Sequence, residues 1–384
     1  MPKKKSTRAP NGMGSVRQRP DGRWEGRYTA PDGRQRSVYA KTEKAVTAKL
    51  RAVQHEMDTG AWREPSKMTL GEWLEIWLKD YQGHNSARTI AKYRCIVNVH
   101  FVPKLGEVRL EKLLPLHIRR LVNDLQKDLK PVTVKNYVRI LGSALNCAIE
   151  AGLIKTNPAD NAKLPRPTPT KLHIIDRDMI PAFLAAIQET LYPNELTFML
   201  YTGLRLGELR GLRWSDCDLD NGTIHVQRQL HPIRHDLKQI TPPKYGEDRI
   251  IHIPAEAVTV LRDQRKRQAE QRLAAGGWDD DEISRDLVFR LPSGAAHNDR
   301  SIYTAVKAAG RSIGMPALHP HDLRHSYAVA ALRSGVDVKT VQHNLGHKTA
   351  QMTLDVYAAY TEDAGKAGAD RLSDYLKSAQ KQAD

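Results

Sequence analysis

Four separated segments of this 384-residue chain place chemically capable side chains beside helix ends or turns. The first is Thr202-Gly203-Leu204-Arg205-Leu206-Gly207-Glu208-Leu209. Gly203 interrupts one helical pattern and the next starts at Arg205, so Glu208 lies one turn on, along the same face. An arginine at a helix start is well placed for a phosphate, and an acid one turn away can hold its guanidinium. Taken alone, the pair reads better as a common surface i,i+3 ion pair. The second segment is His319-Pro320-His321-Asp322-Leu323-Arg324-His325. Pro320 suits a first helical position, which puts His321 and Arg324 on one face near a helix N-terminus. The rival here is zinc, because His321 and His325 have the spacing of an H-x-x-x-H pair. However, Asp322 stands where a metalloprotease carries Glu, and no third ligand is nearby in sequence. The third segment is Leu345-Gly346-His347, a helix exit followed by a new helix running to Tyr357. The fourth is the turn Pro242-Pro243-Lys244-Tyr245-Gly246, in which a lone lysine says little by itself.

The elements that must position these groups fall into three regions. Residues 1–65 read as a small basic module. Strand-like Arg23–Thr29 and Arg36–Ala40 flank a Pro31-Asp32-Gly33 turn, and a polar helix follows from about Thr42 to Thr59. The module carries 15 Lys and Arg against 7 Asp and Glu, and a basic β-hairpin of this size can lie in a DNA major groove. Residues 66–165 are helical by pattern. Leu70, Trp73, Leu74 and Trp77 form an i, i+3, i+4, i+7 stripe, so the tryptophans are expected in a core. Further helices are expected over Ala87–Val102, Leu116–Leu129 and Val132–Ala151, the last stopping at Gly152. The segment from Asn157-Pro158 to Pro165-Arg166-Pro167-Thr168-Pro169 is a stiff linker and a natural boundary. Residues 171–384 mix helices with three short strands, Thr223–Gln229, Leu237–Thr241 and Arg249–Ile253, with Lys244 in the turn between the last two. A charged helix over Arg262–Ala275 ends at Gly276-Gly277, before the acidic loop 279–282. The expected class is α+β and multidomain: a sheet-plus-helix module, a helical domain, and a mainly-α domain with a small antiparallel sheet.

Charge narrows the partner. With 60 Lys and Arg against 44 Asp and Glu the net charge is +16, which points to a polyanion, either nucleic acid or an anionic membrane surface. No apolar run approaches the roughly 18 residues of a membrane span, and no apolar stretch follows the N-terminal charges as in a secretory signal. Lys3-Lys4-Lys5 reads as a solvated basic tail able to touch phosphate. The cysteines Cys95, Cys147 and Cys217 make neither a disulfide framework nor a C-x-x-C metal pair, so a reducing cytoplasm is expected, with no metal and no cofactor.

Together the four segments resemble the tyrosine recombinase (phage integrase) family. Its pattern is an Arg in T-G-x-R-x-x-E, a Lys in a β-turn, H-x-x-R, L-G-H, and a Tyr ten residues past that His. This chain matches at Arg205, Glu208, Lys244, His321, Arg324, His347 and Tyr357, in the family's order. Each motif alone is weak, and the ordered set is strong. Two departures stand out. The family's lysine turn often reads K-T-x-x-S-x-R, whereas Lys244 is followed by Tyr-Gly-Glu-Asp-Arg, so Lys238 is a substitute candidate from mid-strand. Where many members have Y-x-H, this chain has Tyr357-Ala358-Ala359-Tyr360, which makes Tyr360 a minor rival.

The resemblance implies an enzyme that cuts and rejoins DNA through a 3′-phosphotyrosyl link at Tyr357, conserving the bond energy so that resealing needs no ATP. It implies Arg205 and Arg324 as clamps on the non-bridging oxygens. His321 and His347 are implied as hydrogen-bond donors or proton carriers, Lys244 as the acid for the 5′-oxygen, and Glu208 as support for Arg205. It further implies an arm-type DNA-binding module over 1–65, a core-binding domain over 66–165 and a catalytic domain over 171–384. The partners implied are double-stranded attachment sites on which a homotetramer holds two duplexes, with a host bending factor or an excisionase as candidate helpers and no membrane. A polar helix over Glu362–Lys381, with Leu372, Tyr375 and Leu376 on one side, would dock on a neighbouring protomer or on its own domain. The alternatives are a non-catalytic DNA-binding regulator, or a resolvase or topoisomerase of the same chemistry. The extra basic module favours the integrase of a mobile element in a bacterial cytoplasm, associated with the nucleoid.

Overall fold

The structure is a computed structural model that describes residues 14–60, 62, 67–166, 172–232, 238–243, 248–278 and 281–358. Lys3-Lys4-Lys5, Lys244, Tyr360 and the helix expected over Glu362–Lys381 lie outside the described residues. The chain divides into two compact units, Met1–Thr168 and Pro169–Asp384. Among the described residues no helix is long and apolar enough to cross a membrane.

The first unit begins with an antiparallel sheet of β1 (Ser15–Gln18), β2 (Trp24–Thr29) and β3 (Gln35–Ala40), covered by α1 (Glu43–Asp58). The sequence pattern shows β2, β3 and α1 but not β1. That strand has a single apolar residue, Val16, among Ser15, Arg17 and Gln18, too little for a sequence pattern, and it is pairing with β2 that makes it a strand. Alternation along β2 turns Gly26 and Tyr28 towards Val46 and Leu50 of α1, and Glu25 and Arg27 to the other face.

A separate helical core follows, built from α2 (Leu70–Asp80), α3 (Ala87–Ile96), α4 (Val102–Leu105), α5 (Pro115–Asp128) and α6 (Pro131–Glu150). The Trp73–Trp77 stripe is buried as expected, and the Trp73 indole donates to the Ala144 carbonyl at 2.8 Å. The helix expected over Ala87–Val102 contains a π-turn at Val97–Phe101. Pro103 explains it, since a proline inside a helix has no N–H to give and crowds the carbonyl one turn back.

The second unit carries α7 (Ile180–Gln188), α8 (Pro193–Thr202) and the short α9 (Leu206–Gly211). Five strands follow, β4 (Cys217–Asp218), β5 (Thr223–Val226), β6 (Gln229–Pro232), β7 (Lys238–Thr241) and β8 (Arg249–His252). Then come α10 (Ala255–Ala274), α11 (Asp299–Ser312), α12 (Pro320–Arg333), α13 (Val338–Leu345) and α14 (Ala350–Ala358). Among the described residues the three expected strands are five, in two sheets: β4-β5-β8 and the hairpin β6-β7. The strand expected to continue to Gln229 breaks after Val226. Gln227 and Arg228 turn aside to hold the buried Asp216 carboxylate, and a Cβ at Gly211 would stand 3.1 Å from the Gln229 and Leu230 backbone. Lys238 is the first described residue of β7 and pairs with Pro232. Helix α10 starts at Ala255, seven residues before its expected start. Part of its buried face is Gln264 and Gln268, whose amides donate to the Val288 and Leu287 carbonyls, so polar residues occupy core positions there.

Candidate active site

Two left-handed glycines make the bed of the site. Gly203 (φ 64°) ends α8 and Gly346 (φ 59°) ends α13, and a side chain at either position would collide with neighbours. At the α13 exit every late carbonyl has a partner. The Gly346 N–H donates to His343 O and the His347 N–H to Gln342 O, a Schellman closure. Of the carbonyls that remain, Asn344 O accepts from Arg249 Nε at 2.9 Å, Leu345 O from Arg324, and Gly346 O from Arg205 at 2.7 Å. Arg324 also donates to Gly203 O at 2.9 Å. Three guanidiniums thus converge on the negative end of one helix, where cations are favoured.

A single carboxylate ties two of these cations together. Glu208 is buried and accepts from the Arg205 guanidinium at 2.6 Å and from Arg249 at 2.9 and 3.2 Å. It also takes the Arg205 backbone N–H at 3.0 Å, which caps α9. Burial alone would raise the Glu208 pKa. Hydrogen bonds and charge from Arg249, with the charges of Arg205 and Arg324, pull it instead to about 2. Arg324 is 2% exposed. Burial and the neighbouring Arg205 push its pKa down to about 9, which still leaves it charged at neutral pH. The Arg205 side chain keeps 17% of its surface, so it reaches solvent from a held position.

The histidines sit around these cations. His321, on the first turn of α12, meets His325 edge to face with ring centroids 4.5 Å apart. His319 caps the same helix through Asp322, whose carboxylate accepts the His319 backbone N–H at 2.9 Å. Partial burial, then like charge from His325, Arg324 and Arg205, lowers the His321 pKa to about 4. Burial, then Arg324 and Arg205, lowers that of His347 to about 3. Both imidazoles are therefore neutral at pH 7. Unfolded, they take up protons near pH 6.5, so stability present above that pH is lost as the pH falls towards the folded values. The unfolding free energy should accordingly drop between pH 7 and pH 5, and His347→Gln should reduce that drop by on the order of 1 kcal/mol after allowance for solvent screening. An unchanged drop in that variant, followed by circular dichroism, would contradict this origin.

Helix α14 packs against α12 and α13 and carries Tyr357, half-buried. Thr353, fully buried one turn earlier on the same face, lies 2.8 Å from His347 Nδ1. The structure therefore brings Arg205, Glu208, Arg324, His321 and His347 into one cluster, and a threonine one turn from Tyr357 joins His347 to α14. Arg249 completes the cluster. Its sequence signal is slight: it is the Arg that closes the stretch after Lys244, where the family's lysine turn also ends in Arg.

In the first unit a second polar surface faces away from α1. Glu25 there accepts from Arg17 at 2.7 Å and Ser37 at 2.8 Å, with Arg27 at 3.4 Å. These contacts, Arg17 first, hold its pKa at about 2. The Arg19 and Arg23 guanidiniums lie 5.6 and 6.0 Å from the Tyr39 ring centre.

A fold with a left-handed turn gripped by arginines, and a tyrosine on the next helix, defines the class of DNA strand-exchanging tyrosine enzymes. Residues 173–363 match the model of the phage integrase family, and residues 69–126 match the phage integrase N-terminal SAM-like domain. The chain belongs to the phage integrase (tyrosine recombinase) family. It is 26% identical to a XerC-like tyrosine recombinase of Caldanaerobacter subterraneus subsp. tengcongensis over 84% of this chain and 87% of the relative. It is 29% identical to a prophage phiRv2 integrase of Mycobacterium tuberculosis over 89% of this chain and 90% of the relative. Its fold is like that of the Tn1549 transposon integrase solved with a circular intermediate DNA (TM-score 0.70, 21% identity, 79% of this chain and 99% of that one).

Proposed function

We propose that this recombinase integrates a mobile element by cutting each DNA strand with Tyr357, with Arg205 and Arg324 clamping the scissile phosphate. What carries the reading is the join between His347 and α14: Thr353 ties the imidazole to the helix one turn from the tyrosine. With Nδ1 so engaged, His347 Nε2 is left to serve a non-bridging oxygen, and neutral His321 can accept or pass on the Tyr357 proton. Lys244 protonates the departing 5′-oxygen, and Glu208 holds Arg205. Four strands must be cut in two duplexes and each chain brings one nucleophile, so the working assembly is a homotetramer on two attachment sites. The kinship to a prophage integrase supports the element reading, and a host bending factor or an excisionase would set its direction.

The same reading divides the chain into an arm-binding module (1–65), a core-binding domain (66–165) and a catalytic domain (171–384). The arginine-bearing face of β1–β3 supports the first assignment, since cationic forks over a sheet suit phosphate and guanine edges. Selection from a random duplex pool tests chemistry and division together. The full chain should enrich two unrelated motifs, and a chain beginning at Ser66 only the core one. On the core motif, nicked beside the cut, both should become joined to the 3′-phosphate through Tyr357, located by peptide mapping. A linkage elsewhere would overturn the chemistry, and equal enrichment by both chains would overturn the arm module.

A further inference from the structure

Beneath the site lies a buried ion pair with no atom in the reaction. Arg249 opens β8, is 6% exposed, and spends its guanidinium on both oxygens of Glu208 and on Asn344 O. Gly346 passes so close that a Cβ there would stand 2.9 Å from the same guanidinium. The Arg205 guanidinium donates to Glu208 Oε1 and to Gly346 O. One acceptor therefore also bonds Arg249, and the other belongs to the glycine that Arg249 lies beside.

Stability alone is a poor reason for such a pair, because desolvating two charges offsets most of their attraction. A geometric reason is better. The planar guanidinium of Arg205 binds a phosphate well only at one angle, and a misplacement of about 1 Å can cost 10²-fold in rate. We propose that Arg249 is a positioning residue for Arg205, setting its angle by bracing Glu208 and the Asn344–Gly346 turn together. The inference rests on Arg205 being a phosphate clamp.

The test is single-turnover cleavage of the nicked core duplex by the full chain at saturating protein, with duplex affinity and thermal midpoint measured alongside. R249K keeps a charge against Glu208 but cannot hold two carboxylate oxygens and a carbonyl at once. It should bind DNA as the parent does and melt somewhat lower, because a buried acceptor loses its donor, yet cleave about 10–100-fold more slowly. E208Q/R249M removes both buried charges, so its stability should recover while its rate stays low. In an Arg205→Ala background R249K should add less than about twofold, because the group it orients is gone. Parental cleavage by R249K or by E208Q/R249M overturns the proposal. So does a full multiplicative loss in the Arg205→Ala background, or a failure of both variants to fold, either of which would make Arg249 a structural prop. If Arg205→Ala itself cleaves at the parental rate, it is the clamp assignment that fails.

Discussion

Tyr357→Phe protein is expected to bind the core duplex as the parent does and to leave every strand uncut. The substitution removes one hydroxyl. Affinity for DNA comes mainly from many contacts to phosphates, so one lost hydroxyl should barely register in it. The rate is different in kind, because without the phenolic oxygen no phosphotyrosyl bond can form. Water is no ready substitute, since attack by water would discard the bond energy that rejoining needs. Packing should survive as well: the ring stays, and Thr353 still lies against His347. Cleavage is read on the nicked duplex as covalent adduct and binding as retarded duplex, in one set of reactions. Tyr360→Phe is the control and should cleave normally. If Tyr357→Phe still forms adduct, or if Tyr360→Phe is the dead variant, the nucleophile has been misassigned.

The second large effect belongs to Lys244. A 5′-alkoxide is a poor leaving group, and a positioned general acid is worth about 10²–10⁴-fold in rate. Lys244→Ala should lose about that much on ordinary DNA. On a duplex whose bridging 5′-oxygen is sulfur, the loss should nearly vanish, because a thiolate departs without a proton. Arg205→Ala and Arg324→Ala should show no such recovery, since as clamps they would stabilise charge on non-bridging oxygens, which both substrates carry. The comparison is internal to each variant, so a change in affinity cannot imitate it at saturating protein. Persistent slowness of Lys244→Ala on sulfur DNA would make the lysine electrostatic or structural. Recovery by Lys238→Ala instead would move the acid to the start of β7.

Much of the site was legible because its members sit at helix boundaries, which leave local marks. Gly203 and Gly346 stop helices, Pro320 starts one, and each lies within two residues of a candidate site residue. The Trp73–Trp77 stripe was equally plain, because one helix face bears its whole burial pattern. Elements held by partners left weaker marks. Strand β1 has one apolar residue among four and exists through its pairing with β2, and part of the buried face of α10 is glutamine, which reads as surface until the Val288 and Leu287 carbonyls are opposite. The sheets divided differently from the pattern because Asp216 draws Gln227 and Arg228 out of line.

The sequence by itself determined the order and spacing of the reactive groups, the basic character of the N-terminal module and the family those features resemble. These are local properties: periodicity, caps and counts of charge along the chain. Only the tertiary structure decided which groups share charge. Glu208, Arg249 and Asn344 lie far apart along the chain, and no periodicity links them. Their meeting follows from the packing of α13 against β8, which buries a carboxylate among three guanidiniums and sets the Asn344, Leu345 and Gly346 carbonyls against arginine donors. Burial is a property of the packed whole, and the depressed histidines and the positioning role of Arg249 follow from burial.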